Sequence, residues 1–121
     1  MKIENISLTA LTLDTSANSE AFYIGHMALF AAQMVVTGAA PTGTFKVQVS
    51  CDAGAPNATT KTQQTLAVTN WFDVPSATSA ITTTGTYGIN VVDSGACWAR
   101  VVWTSTSGTG SAAIRVNAKG V

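Results

Sequence analysis

The sequence predicts an all-β protein, a single-domain antiparallel β-sandwich with jelly-roll-like topology that spans residues 1–121. Apolar and polar residues alternate with period two along most of the chain, which is typical of strands with one buried face. Clusters of Gly, Pro, Asn and Ser interrupt the alternation roughly every 8 to 14 residues, as they do in sandwiches. The 121 residues suffice for one domain with a core of its own.

The N-terminal part predicts two strands on either side of a turn. Ile6 and Leu8 alternate with polar neighbours in a first strand over residues 3–14, and a Ser- and Asn-containing turn follows at residues 15–19. A short second strand covers residues 21–25. We expect residues 1–14 to form an extended edge strand, or an arm that adds to the sheet edge of a neighbouring subunit.

The next segment, residues 27–37, is apolar on both alternating sets. Such a pattern fits a strand that is buried on both faces. It also fits a short helix, because Ala, Leu, Met and Gln favour helices. The surrounding strands and the Gly-containing turn predicted at residues 38–43 favour the strand.

The middle of the chain carries the clearest strand with one buried face. Phe45, Val47, Val49 and Cys51 alternate with polar residues. A long exposed loop follows at residues 53–64, and the next strand, residues 71–74, ends at Pro75.

The C-terminal part predicts four more strands. Residues 80–83 and 87–92 are divided by Gly85. Residues 96–105 and 112–117 flank a turn at residues 107–110, and we expect these two strands to form a hairpin.

Composition excludes several classes of partner. Lys plus Arg and Asp plus Glu number 6 each, so the net charge is zero and the basic surface that nucleic acids require is missing. The most apolar run, residues 27–36, is shorter than the roughly 20 residues that span a bilayer. We therefore expect neither nucleic acid nor membrane as a partner. Cys51 and Cys97 are predicted to be small buried residues rather than a disulfide, since the sequence shows no oxidising compartment.

No pattern predicts catalysis, a cofactor or a metal site. His26 has no acid near it in sequence, and Asp93-Ser94-Gly95 fits a β-turn better than a nucleophile. Large aromatic residues could form a platform that stacks on sugars, although the core of a sandwich is the favoured place for them. They are Trp71, Trp98, Trp103, Phe72, Tyr23 and Tyr87.

A succession of segments is more specific. A strand ends in Ser50-Cys51-Asp52, Asn70-Trp71-Phe72-Asp73-Val74 follows a loop, and residues 98–110 and 114–120 read WARVVWTSTSGTG and IRVNAKG. From about residue 30 onward this resembles small β-sandwich virion proteins of tailed phages, of the head decoration (cement) type.

The resemblance implies a non-enzymatic structural protein on the capsid exterior, made in the host cytoplasm. It implies the major capsid protein and further copies of the chain as partners, with a homotrimer favoured. In this fold Ser50 and Asp52 would cap a turn, Trp71 would plug the sandwich, and Arg100 would pair with Asp73 or a neighbouring subunit.

Apolar side chains on the first and third predicted strands are the expected contact surface. They are Met27, Leu29, Phe30, Met34, Ile6 and Leu8. Two other interpretations stay open: a carbohydrate- or host-receptor-binding module, associated with a phage tail, and a hydrolase whose site uses His26.

Overall fold

The structure, a computed structural model, describes residues 3–52, 68–92 and 95–120. In these ranges the chain forms one open antiparallel sheet and no helix, so the all-β prediction is confirmed. The strands are β1 (Ile3–Ser7), β2 (Leu11–Thr12), β3 (Ala17–Asn18), β4 (Phe22–Tyr23), β5 (Leu29–Ser50), β6 (Phe72–Ile81), β7 (Gly85–Val92) and β8 (Trp98–Lys119).

Two strands of 22 residues, β5 and β8, form the centre of the sheet. They pair antiparallel from Leu29 opposite Lys119 to Ser50 opposite Trp98. On the outer side of β5, β7 pairs with residues 29–36 and β6 with residues 43–49. On the outer side of β8, β1 and β2 pair with its C-terminal half, and β3 and β4 with its N-terminal half. Every other strand therefore borders one half of this central pair.

The two halves form the two layers of a sandwich. Layer A contains β1, β2, β7 and residues 29–36 and 112–119, whereas layer B contains β3, β4, β6 and residues 43–50 and 98–105. The Phe22 ring of layer B meets the Phe30 ring of layer A edge to face, with centroids 5.6 Å apart. The buried apolar side chains of both layers belong to one cluster.

The two central strands pass from one layer to the other through a bend and are not interrupted by turns. The register between the two strands shifts at residues 39–43, as in a β-bulge. Gly38 and Gly108 have positive φ angles of 124° and 80°, which glycine adopts readily because it lacks a Cβ atom. In layer A the even-numbered residues of β5 and β8 face the core, and in layer B the odd-numbered ones do. The irregular backbone of the bend accounts for this change, because it interrupts the alternation in both strands. The register itself is the same on either side, where Gly38 pairs with Gly110 and Thr44 with Thr104.

Several predicted boundaries are wrong for this reason. Residues 38–43 and 107–110 are parts of strands, not turns, and residues 96–105 and 112–117 belong to one strand instead of a hairpin. Glycine-rich segments mark a bend as readily as a turn. Pro75 does not end its strand, since β6 continues to Ile81 along the edge of the sheet, where a missing N–H group is tolerated.

Other elements match in part. The segment over residues 27–37 is a strand, not a helix, but only one of its faces is buried. The first predicted strand is divided into β1 and β2, and β3 lies inside the predicted turn at residues 15–19. Residues 3–7 are an edge strand of the chain's own sheet rather than an arm. The predicted loop at residues 53–64 lies outside the described residues.

Substituting Gly108 tests the bend. In Gly108→Ala a Cβ atom would meet the carbonyl of Ala40 at a positive φ, so we expect the free energy of unfolding to fall by about 1–3 kcal/mol. Gly88→Ala is the control, because a Cβ atom there has its nearest neighbour, the Ala32 carbonyl oxygen, at 3.7 Å. Urea denaturation measures both variants. Equal midpoints for the two would contradict the role of Gly108.

Candidate functional site

The outer face of layer A carries mostly small and amide side chains. One row across its four strands reads Asn5, Asn117, Ala31 and Asn90. Asn5 Nδ2 donates a hydrogen bond of 2.6 Å to Asn117 Oδ1 and so fixes two of these amides. The next row along the strands contributes Ser7, Arg115, Gln33 and Gly88.

The last row of this face is apolar and lies at the open end of the sandwich. Ile3, Leu29 and Val92 stand in register across β1, β5 and β7, with Lys119 of β8 between the first two. Their exposed fractions are 61%, 39% and 68%. We call these three side chains the apolar row. Exposed apolar residues gathered in this way mark contact sites more often than single ones do.

An apolar cleft adjoins the apolar row. It has a volume of about 470 Å³ and lies at the open end between the layers. Phe72, which is 53% exposed, and Val92 both border it, so the cleft and the apolar row share a residue. We call it the end cleft; its other lining residues are Val49, Cys51, Val74, Pro75, Val91, Gly95 and Ala96.

Most of the contact residues expected from sequence lie elsewhere. Only Leu29 is on the surface, because it belongs to the odd-numbered set of β5 that faces outward in layer A. The prediction of the other five as an exposed surface is wrong, since they face the core of the chain itself; they are Met27, Phe30, Met34, Ile6 and Leu8. The sequence pattern predicted the apolar strand, but it did not predict which of the strand's two faces is buried in the core.

Asp52 holds the end of β5 to the start of the segment that leads into β6. Its Oδ2 accepts hydrogen bonds of 3.0 Å from the backbone N–H groups of Thr69 and Asn70, and its Oδ1 accepts one from Asn70 Nδ2. Ser50 Oγ in turn accepts from the Asp52 N–H at 3.1 Å. Hydrogen bonds from the backbone and side chain of Asn70 and from the backbone of Thr69 hold the pKa of Asp52 below its ordinary value of 3.8.

Trp71 and Arg100 lie on the outer face of layer B, not in the core. The Arg100 guanidinium covers the Trp71 ring at 4.4 Å from its centroid, a cation–π contact. Arg100 Nε and Nη2 donate to Gln48 Oε1, and Gln48 Nε2 donates to Asp73. The predictions of Trp71 as a core plug and of a direct Arg100–Asp73 pair are therefore wrong. The pKa of Asp73 lies below its ordinary value because Gln48 and Lys46 donate hydrogen bonds to it.

This placement bears on the sugar-stacking interpretation. Trp98 and Trp103 are core residues with exposed fractions of 1% and 0%. Arg100 covers one face of Trp71, and Tyr87 uses its hydroxyl to donate to the Thr83 carbonyl. Tyr23 meets Trp98 edge to face at 5.2 Å between ring centroids, but the Trp98 ring is buried and offers no face to a sugar.

His26 has an acidic partner that the sequence did not reveal. Its Nε2 lies 2.9 Å from Oε1 of Glu4, whose side chain is 8% exposed. Glu4 occupies a core-facing position of β1, and His26 belongs to the turn between β4 and β5, where the Met27 N–H donates to the Ile24 carbonyl. The pair joins these two segments at the open end of the sandwich. Asp93 and Ser94 lie outside the described residues.

Across residues 3–52, 68–92 and 95–120, no three His, Cys, Asp or Glu side chains are placed to hold a metal ion together. None of the described residues forms a helix long and apolar enough to cross a membrane.

Comparisons with known proteins give structural likenesses only. No protein-family model matches the chain, and no curated protein does. The SPBc2 prophage-derived protein YomS shares 12% identity over 98% of this chain and 95% of its own, with a TM-score of 0.49. A chain of the disulfide-linked pili of Bacillus endospore appendages shares 16% identity over 98% of this chain and 89% of its own, with a TM-score of 0.45.

The C-terminal domain of A223, a structural protein of Sulfolobus turreted icosahedral virus, shares 16% identity over 96% of this chain and 99% of its own, with a TM-score of 0.37. Two of these three proteins come from a prophage or a virus, and one is named a structural protein of its virus. With identities and TM-scores this low, the likenesses carry no conclusion about the function of this chain.

The cap at Asp52 predicts an effect of pH on stability. Because the pKa of Asp52 is lower in the folded chain than its ordinary 3.8, its carboxylate stabilises the fold above that pH, and the contribution disappears as the pH falls through the folded value. We expect Asp52→Asn to lower the urea midpoint at neutral pH and to lose less stability than the original chain on acidification.

Asp14→Asn is the matched control, since Asp14 accepts only the Gly110 N–H in the described contacts and its substitution leaves Asp52 in place. Urea midpoints between neutral pH and pH about 2 provide the measurement. An unchanged acid dependence in Asp52→Asn would contradict the role of the cap.

Proposed function

We propose that the chain is a non-enzymatic structural subunit of a tailed-phage particle, a head decoration (cement) protein that acts through protein–protein contacts. The observation that carries this proposal is the position of its exposed large apolar side chains. All four of those found among the described residues lie at the open end of the sandwich: Ile3, Leu29 and Val92 in the apolar row, and Phe72 at the end cleft.

The size of this region suits a specific contact. Three strands contribute eight residues each to the outer face of layer A and β1 contributes five, so at about 4.8 Å between strands the face covers roughly 450 Å². The end cleft adds apolar area beside it. Together they provide more than half of the roughly 800 Å² per partner that a standard protein–protein interface buries.

The charge of the surface supports the same function. Only Arg115 and Lys119 are charged among the residues of β5, β7 and β8 on the outer face of layer A. A partner therefore loses few hydrated charges on docking, and two copies meet without strong repulsion. Such a face suits repeated packing against other subunits in a shell.

The partners proposed are further copies of the chain, arranged as a trimer, and the major capsid protein on the exterior of the capsid, after synthesis in the host cytoplasm. The segments that resemble phage decoration proteins, from Ser50 to Asp52 and over residues 98–120, support this choice. Each copy adds contacts between neighbouring shell subunits, and many symmetric copies add avidity. Neither nucleic acid nor a membrane takes part.

Charge substitutions in the apolar row test the contact. We expect Val92→Asp and Leu29→Asp to weaken self-association or shell binding at least about tenfold, because an interface does not tolerate an unpaired buried carboxylate. Light scattering measures the oligomer, and co-sedimentation with phage shells measures binding. Both residues are exposed, so the variants should melt within a few degrees of the original chain.

Thr104→Asp is the control: it adds the same charge at an exposed position of β8 on the outer face of layer B, away from the proposed contact. It should bind and assemble as the original chain does. Unchanged binding in Val92→Asp and Leu29→Asp would contradict the proposed surface, and a monomer that ignores shells would contradict the cement function.

A further inference from the structure

The two cysteines lie next to each other at the end of the central strand pair. Ser50 and Trp98 are the last paired residues of β5 and β8, and Cys51 and Cys97 are the next residue on each side. The cysteines therefore face each other across the two chain segments just beyond the last pair. They are free thiols in the structure, with Cys51 exposed and Cys97 partly exposed, so the prediction that Cys51 is buried is wrong.

A hydrogen bond sets an upper limit to the distance between the Cα atoms of Cys51 and Cys97. The Cys97 N–H donates to the carbonyl oxygen of Ser50, the residue before Cys51, at 2.9 Å. With standard peptide dimensions the Cα atoms of Cys51 and Cys97 are then at most about 7 Å apart. Disulfides join Cα atoms roughly 4.4 to 6.8 Å apart, so a bond needs little movement of the backbone.

Both backbones are held in place. Ser50, which precedes Cys51, is fully buried. Asp52, which follows it, accepts hydrogen bonds from the backbone N–H groups of Thr69 and Asn70. Cys97 uses its N–H toward Ser50, and its carbonyl accepts from the Ile24 N–H at 2.8 Å. The thiols are therefore brought together by the fold rather than by chance encounters of loose segments.

Their exposure also directs the two side chains alike, away from the core. Cys51 is exposed next to the fully buried Ser50, and Cys97 is partly exposed between the buried Ala96 and Trp98. Cys51 borders the end cleft, where a small oxidant has access to it.

From this geometry we infer that Cys51 and Cys97 form a redox-sensitive site, a dithiol that converts to an intramolecular disulfide when it meets a low-molecular-weight disulfide such as oxidised glutathione. The Cys51 thiolate attacks one sulfur of the oxidant and releases one small thiol. The Cys97 thiolate then attacks the mixed disulfide and releases the second. The protein loses two hydrogens and two electrons, and the oxidant is reduced to two thiols.

The bond would join the end of β5 to the start of β8 and close the chain from residue 51 to residue 97. That loop contains β6 and β7, which form one edge of the sheet. A cross-link of this kind restricts the unfolded chain, so the oxidised protein should resist unfolding better than the reduced one. The inference does not depend on the proposed function.

Oxidation of the purified chain tests it. After incubation with oxidised glutathione under native conditions, we expect both thiols to become unreactive toward a thiol reagent, and peptide mapping without reductant to show Cys51 joined to Cys97 within one chain. The melting temperature should rise by about 5 °C or more and return on addition of reductant.

Cys51→Ser and Cys97→Ser are matched controls, since each leaves one thiol that can only form a mixed disulfide, and neither should gain thermal stability on oxidation. Chains joined to each other through Cys51, glutathione adducts that persist on both cysteines, or two thiols that stay reactive would each overturn the inference.

Discussion

The pairing of β5 with β8 is the interaction on which the rest of this structure depends. Each of the other six strands forms its hydrogen bonds with one of these two. The bend in the pair folds the sheet so that layer A covers layer B, and its irregular backbone changes which residues face inward, so that both layers contribute apolar side chains to one core. A sheet of the same strands without the bend would leave that apolar face exposed to water.

The alternation of apolar and polar residues predicted those features that nearby residues in the sequence determine. The fold class, the strand at residues 87–92 and the position of Asp52 after a strand follow from alternation and polar punctuation. The strand boundaries and the contacts between distant residues depend instead on which strands pair. A glycine-rich run looks the same in a turn as in a bend, and only the partner strand tells them apart. Glu4 and His26 meet because β1 and the turn before β5 come together at the open end. Their spacing in the sequence does not predict this contact.

The same limit applies to the candidate surface. Residues 27–36 are apolar at both odd and even positions. In the structure Phe30 and Met34 are buried, whereas Leu29 is exposed. Val92 and Phe72 belong to two further strands, and the end cleft brings them together. The surface proposed for contact is thus a product of register across strands, whereas the sequence indicated only one strand of it. Its low density of charge is in keeping with the composition, since only 10% of the residues are charged.

The register of β1 has a consequence for synthesis of the chain. Ile3 pairs with Lys119, so β1 is made long before the residues of β8 that it borders. β5 likewise lacks its partner until residues 98–119 have been added. The sheet therefore cannot be completed before β8 has emerged, and the pairing that shapes it has to form late in synthesis. Until then the apolar faces of β1 and β5 have no cover and are prone to aggregation.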